Sequence, residues 1–284
     1  MNNKRRNWFR SGQAAGYEPE YQAVLDRAAL LGYTTPDSTT NTRNNDRVKN
    51  LKAAGIWVKL DLLYMFDMPS GLADFSKINY IDPDNYELFN SNPSLEPAFV
   101  AGSGFESDGT LWFSTGFNCS TNATHFVPGS ILGRTCVFWR GFNFAADSTN
   151  ETICGALTGG NNSQINIIKA SNNTQAILRI GNNTTAYTFG ATKNNNHILQ
   201  SSSGTSSGLG SNIYEDGASL GITSPVIGAS FSNLVLYLFA SNLSGAASNI
   251  GRSGMKYFGL GGFLGSSNPN TEADDLYNIM NDTY

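Results

Sequence analysis

From about residue 95 onward, short apolar stretches recur every 10–20 residues, most of them alternating apolar and polar, with Gly, Asn and Ser between them. That rhythm constrains this chain more than any other feature. Alternation over four to eight residues makes a strand with one buried face, and polar turn residues at such spacing reverse the chain. Stretches reading this way are Ala98–Val100, Leu111–Thr115, Thr135–Arg140, Gln164–Lys169, Ala176–Ile180, Ala186–Phe189, His197–Gln200, Ser211–Tyr214, Ala218–Leu220, Asn233–Ala240 and Met255–Leu260. Asp216-Gly217 supplies the sharpest hairpin signal, because a two-residue turn needs positive φ at both positions. Asn233–Ala240 is apolar at successive positions, which predicts a central strand covered on both sides, with the amino-terminal helices as one cover.

The first 70 residues follow a different period. Tyr21, Val24, Leu25, Ala28 and Leu31 share one helical face, with Gly32 placed to end the helix and Pro36 to prevent its continuation. Thr39 to Asn45 reads as a polar loop, after which Asp46 caps a second helix with the stripe Val48, Leu51, Gly55, Val58 and Leu62. Leu60 to Phe66 is continuously apolar, as in a strand. Two short helices cannot hide both stripes in each other, so they pack on the rest of the chain or on a partner. Near the end, Thr271 to Asp274 forms a capping-box variant ahead of the face Leu276, Ile279 and Met280. The composition shift near residues 65–75 divides the chain into an attachment region, 1–70, and a strand region, 71–284.

Charge is sparse and unevenly placed. Charged residues make up 14 % of the 284, below the usual quarter, and hydrophobic residues 40 %, enough for a sizeable core. Ten of the eighteen Lys and Arg precede residue 61, whereas Thr110 to Asn270 holds four acids: Asp147, Glu151, Glu215 and Asp216. The net charge of −4 argues against a dedicated nucleic-acid binder, and the lack of a long apolar run against membrane insertion. The start, with Lys4, Arg5 and Arg6, lacks the apolar stretch of a signal peptide, which predicts synthesis and folding in a cytosol. Cys119, Cys136 and Cys154 then read as reduced, buried thiols, with a Cys136–Cys154 bridge as the alternative.

Each candidate site carries a bland reading beside the functional one. Glu106 and Asp108, two apart, are the nearest thing to a glycosidase pair, but Gly109 makes a turn the better reading. Glu215-Asp216 is a hairpin tip. His125 and His197 lack the tight spacing of zinc ligands, and Gly102-Ser-Gly104 is too short for a phosphate loop. Asp108, then Asp147, are the best calcium ligands on offer, without the several carboxylates such a site needs. Trp112, Trp139 and Tyr187 could serve as aromatic platforms for glycans, although each sits in an apolar run that suits a core. Ser201 to Ser211 is a Ser/Gly-rich loop. Asn-x-Ser/Thr at Asn118, Asn122, Asn150 and Asn242 reflects composition. No catalytic residue, metal ligand or cofactor is therefore expected. The arm Arg5, Arg6, Trp8, Phe9 and Arg10 reads as a docking peptide, its cations meeting acidic surface and its two rings filling a pocket.

The block Phe99-Val-Ala-Gly-Ser-Gly-Phe-Glu-Ser-Asp-Gly-Thr-Leu-Trp-Phe-Ser-Thr-Gly-Phe-Asn118 resembles the opening strands of laminin-G-like, concanavalin A-like sandwiches. Phe239-Ala-Ser-Asn242, Tyr257 to Leu264 and the final helix resemble the closing strands of that fold. Together with the preceding Leu51–Phe66 segment, the chain is similar to virion proteins of tailed bacteriophages, notably the crAss-like phages of gut Bacteroidota. The resemblance implies a mainly β fold, an antiparallel laminin-G-like jelly-roll sandwich with an amino-terminal helical attachment region and a short carboxy-terminal helix. It also implies a non-enzymatic fibre, spike or capsid-decoration protein, located in the virion, a homo-oligomer (trimeric by analogy with fibres) bound to other virion proteins and to host-surface glycans. The alternative is a polysaccharide-degrading enzyme of the same fold, against which the scarcity of acids counts.

Overall fold

The alternating stretches pair into two sheets, and the helices lie against one of them. The computed structural model describes residues 16–126, 134–142, 151–157, 164–169, 175–180, 183–188, 196–202, 211–223, 233–262, 264 and 271–281. The chain enters through helices α1 (Pro19–Leu31) and α2 (Ser38–Ala53), strand β1 (Leu60–Met65) and the single turn α3 (Ala73–Ser76). Strands β2 (Phe89–Asn90), β3 (Ala98–Val100), β4 (Gly104–Glu106), β5 (Phe113–Asn118), β6 (Arg134–Phe142) and β7 (Glu151–Leu157) follow. Next come β8 (Gln164–Lys169), β9 (Gln175–Ile180), β10 (Asn183–Thr188), β11 (Asn196–Ser202), β12 (Ser211–Glu215) and β13 (Ala218–Thr223). The chain closes with β14 (Val235–Leu238), β15 (Ser241–Leu243), β16 (Ala246–Ser248), β17 (Gly254–Gly261) and α4 (Thr271–Asn281).

Among the described residues, sheet A runs β13-β12-β11-β6-β17-β4-β3, with β1 also paired to β17, and all its pairs are antiparallel. Sheet B runs β10-β9-β8-β7-β14-β5-β2, with β15 and β16 off that path. It is antiparallel except where β15 lies parallel to β7, opposite Gly155 to Leu157. The fold is thus a mainly β sandwich. Asp216 and Gly217 both take positive φ between β12 and β13, as the hairpin reading requires. β7 escapes the period-two reading: its acid, its Gly155 and its burial on both faces erase the alternation.

Two cores result. Between the sheets lie Leu62 and Tyr64 of β1, Phe105, Phe113, Phe117, Val137, Trp139, Leu236, Leu238 and Phe258. On the other side of sheet A, Leu63, Met65, Cys136, Phe138 and Tyr257 meet Tyr21, Val24 and Ala28 of α1, Val48 and Leu51 of α2, and Leu276, Ile279 and Met280 of α4. Successive strand residues point to opposite faces, so β1 is buried throughout. The helical stripes are therefore covered by this chain's own sheet. The boundary drawn at residue 70 passes through a shared core, because β1 is a sheet strand and residues 19–53 are its lining. The helices also cover sheet A and not β14, where Val235 and Tyr237 stay partly exposed opposite buried Leu236 and Leu238.

The second helix begins earlier than its polar residues suggest. Asp37, not Asp46, is the cap: its carboxylate accepts from the Thr40 N–H at 2.8 Å. Thr39 to Asn45 is helical because tertiary partners compensate poor propensity. The Tyr21 hydroxyl donates to Asn41 Oδ1 (2.7 Å), Asn44 Nδ2 donates to the Tyr80 hydroxyl (3.3 Å), and Asn45 Oδ1 accepts from the Glu18 N–H (2.6 Å). Buried Arg47 holds both Asp67 oxygens at 2.9 and 2.8 Å and also donates to the Met280 carbonyl, tying α2 to the end of β1 and to α4. Its pKa is raised despite burial, because Asp67 stabilises the cation. α2 ends at Ala53, so Val58 turns to solvent and Leu62 joins the inter-sheet core.

Candidate functional site

Where β2, β5 and β14 run side by side, the outer face of sheet B is open. β5 alternates: Phe113, Thr115 and Phe117 point inward and are buried, while Ser114, Gly116 and Asn118 point outward. Trp112, just before the strand, continues the outward row and is half-buried. Phe89 of β2 and Tyr237 of β14 both stand opposite Ser114 in register, one on each side. The Trp112 and Tyr237 rings lie 6.2 Å apart at 34°. Phe89 is 59 % exposed, an uncommon cost for so large an apolar ring.

Backbone pairing fixes this surface. The Ser91 N–H donates to the Trp112 carbonyl (2.9 Å), and the Trp112 N–H donates to Ser91 Oγ (3.2 Å). Gly116 has φ +67°, and a Cβ there would lie 3.7 Å from Phe89 Cε2, so the missing side chain leaves a notch beside the ring. At the far end, Asn118 Nδ2 donates to Asn233 Oδ1 (2.7 Å), and the Asn118 N–H donates to Asn122 Oδ1 (2.9 Å). Trp112 to Asn118 spans about 20 Å of extended chain. The face thus offers flat rings for stacking, small residues between them, and amides and hydroxyls for hydrogen bonds.

The other sequence candidates separate cleanly. Trp139 is fully buried between the sheets, a core residue. Tyr187 stands opposite Ala176, and His197 opposite Trp139 and Glu215; their side chains lie outside the described part of the structure. So do the arm residues Arg5, Arg6, Trp8, Phe9 and Arg10, together with Asp147, Asn150 and most of the Ser201–Ser211 loop. Glu106 sits in β4 opposite Ala98 and Gly254. Asp108 is spent locally: its carboxylate accepts from the Thr110 N–H (2.8 Å) and hydroxyl (2.6 Å), which hold its pKa below the usual carboxylate range. Glu215 and Asp216 belong to the β12–β13 hairpin, whose Gly217 packs by Tyr277 and Asp274 of α4.

Gly104 serves close approach and not phosphate binding, since a Cβ there would fall 2.0 Å from the Met255 carbonyl oxygen. His125 is exposed, and its backbone N–H donates to Asp61. The Asp61 carboxylate also accepts from Thr124 and Phe126, pinning that loop. Among the described residues no three His, Cys, Asp or Glu side chains gather as metal ligands, and no helix is long and apolar enough to cross a membrane. All three cysteines are buried and unbridged, and burial raises the pKa of each thiol. Cys136 faces the helices and Cys154 the inter-sheet core, so the two lie on opposite sides of sheet A. Asn242 is buried, donating to the Val235 carbonyl and accepting from Gly245.

Sequence reasoning named Trp112 but missed Phe89 and Tyr237. Tyr237 lay inside the apolar stretch Asn233–Ala240, and β2 is too short to show a period. The surviving signal was the outward row Trp112, Ser114, Gly116, Asn118, which alternates with apolar residues.

No family model and no curated protein matches the chain. Solved structures with partial similarity include the binding domain of botulinum neurotoxin serotype D (10 % identity, TM-score 0.49, covering 78 % of this chain and 52 % of that one). A second is a mutant of Trypanosoma rangeli sialidase displaying trans-sialidase activity (12 %, 0.48, 83 % and 39 %). A third is the K499G mutant of NanB sialidase from Streptococcus pneumoniae (14 %, 0.33, 45 % and 22 %). The chain spans about half or less of each of these proteins. Similarity at this level says nothing of ligand or activity.

Proposed function

We propose that this chain is a non-enzymatic adhesive module that holds glycans on the open face of sheet B, as a fibre, spike or capsid-decoration component of a tailed-bacteriophage virion. One observation carries the binding half: Trp112, Tyr237 and Phe89 surround the small residues Ser114 and Gly116 on an open sheet face. Aromatic rings with an electron-rich face meet the polarised C–H bonds of a sugar ring, while nearby amides and hydroxyls bond its hydroxyls. The non-enzymatic half is supported by Asp108, whose lowered pKa keeps it ionised and unsuited to donate a proton.

The virion setting rests on the resemblance of residues 51–66, 99–118 and 239–264 to phage virion proteins. In that setting the basic, aromatic arm of residues 5–10 docks to the particle or to sister subunits. Leu30 and Val58, exposed on the helical layer, extend the same contact. The test is retention of the full chain on immobilised host-surface polysaccharides, alongside Trp112→Ala, with reducing ends assayed in the supernatant. Retention lost in the variant and no reducing ends is the expected result. Release of reducing ends, or no retention on any polysaccharide, rejects the proposal.

A further inference from the structure

The glycan-binding reading leaves the chemical class of the sugar open, and the same face restricts it. Phe89, Ser91, Trp112, Ser114, Asn118 and Tyr237 present rings, hydroxyls and an amide, and none of them ionises near neutral pH apart from Tyr237 at its far alkaline limit. The charges of the surrounding chain are turned elsewhere. Asp108 is held by Thr110, Arg140 donates to Asn281 Oδ1 on the α4 side, and the Arg252 side chain lies against Gly109. A sugar carboxylate laid on this face would shed water without meeting a cation, which is costly. A neutral sugar loses only hydroxyl hydration, which Ser and Asn side chains restore, and it gains contact with three rings.

We infer that the open face of sheet B selects uncharged hexose glycans over sialylated or uronic-acid ones, an inference that rests on the glycan-binding reading above. Selection comes from the absence of a cation, so it is reversible by supplying one. Ser114 is the position for this, since it lies between Phe89 and Tyr237 and points outward.

The experiment is a binding series with the full chain on matched immobilised oligosaccharides, each neutral glycan beside its sialylated or uronic-acid counterpart, at low and high salt. The wild-type chain should hold the neutral members with little change between the two salts. Phe89→Ala should weaken that binding by about tenfold or more, as loss of a central aromatic contact does. Phe89 is mostly exposed, so this variant folds even if Trp112→Ala does not. Ser114→Arg should shift preference to the acidic members and make binding fall as salt rises.

If the wild-type chain prefers the acidic members and Phe89→Ala abolishes that binding, the uncharged class is wrong while the glycan-binding face stands. If neither set binds, the glycan-binding reading falls and takes this inference with it. If binding survives both Phe89→Ala and Trp112→Ala, the glycan is held elsewhere and the inference is overturned.

Discussion

The outer faces of the two sheets carry similar side chains and meet opposite fates. Sheet A presents Phe138 and Tyr257 outward, and both are sealed beneath α1, α2 and α4. Sheet B, between β2 and β14, presents Phe89, Trp112 and Tyr237 outward, and no helix lies over them among the described residues. Aromatic content does not distinguish these faces. A cover does, and the cover is recruited by polar bonds at its margins: Arg47 to Asp67, Lys59 to Glu272, and Lys52 to Glu18 and Glu20. A ring under the cover stabilises the fold, whereas a ring outside it is available to a ligand.

The comparison breaks most sharply on matched truncations. Phe138→Ala should cost about 3–5 kcal/mol in urea denaturation, because it empties a site between sheet and helices. Phe89→Ala should change stability by less than about 0.5 kcal/mol while removing glycan retention. Equal costs at the two positions would mean that the faces are not different in kind.

Removing the cover's main anchor should have nearly as large an effect. Asp67→Ala leaves Arg47 charged and buried without its carboxylate, a loss of about 3–5 kcal/mol for a broken buried pair. Native-state hydrogen exchange should then show α1 and α2 opening ahead of the strands. Protection unchanged in the helices would show that the apolar contacts hold the cover without the ion pair.

Reactivity of the thiols sharpens the same contrast at a smaller scale. Cys136 lies beneath the helices and Cys119 and Cys154 between the sheets. Burial raises all three thiol pKa values, so near pH 8 a maleimide should leave them unmodified in the native chain and label all three after unfolding. In the Asp67→Ala chain Cys136 should label first. Recovery of a Cys136–Cys154 peptide without reductant would contradict the placement of these residues on opposite sides of sheet A.

The smallest effect is the acid response of the α2 cap. Asp37 has a lowered pKa because the Thr40 N–H and hydroxyl favour its charged form. A carboxylate lowered on folding adds stability that is present above the unfolded-state value and is lost as pH falls through the folded one. The wild-type chain should therefore lose slightly more stability than Asp37→Asn below the usual carboxylate range. Parallel pH profiles would remove the cap from the account of the cover.

Much of the sandwich was legible because the strand signal is local. The β12–β13 hairpin and the strands Gln164–Lys169 and Met255–Leu260 follow from alternation and turn residues within a few positions. The α2 start was not legible: Thr39 to Asn45 becomes helical through Tyr21, Tyr80 and Glu18, partners lying between about 20 and 40 residues away. Nor was the division of labour between Trp112 and Trp139. Both sit in apolar stretches, and only the register of β5 against β2 and β14 separates an open ring from a buried one.

β1 and β17 are neighbours in sheet A, yet Leu62 pairs with Leu260, almost the length of the chain away. Synthesis delivers the two strands at opposite ends of a translation cycle. Until β17 emerges, β1 waits with two apolar faces and an unpaired edge, and the helices have no finished floor to lie on. Closing such a loop is slow, and the waiting species is prone to aggregate. The long interval makes this a chain whose yield depends on what shelters its first sixty-five residues while the rest is made.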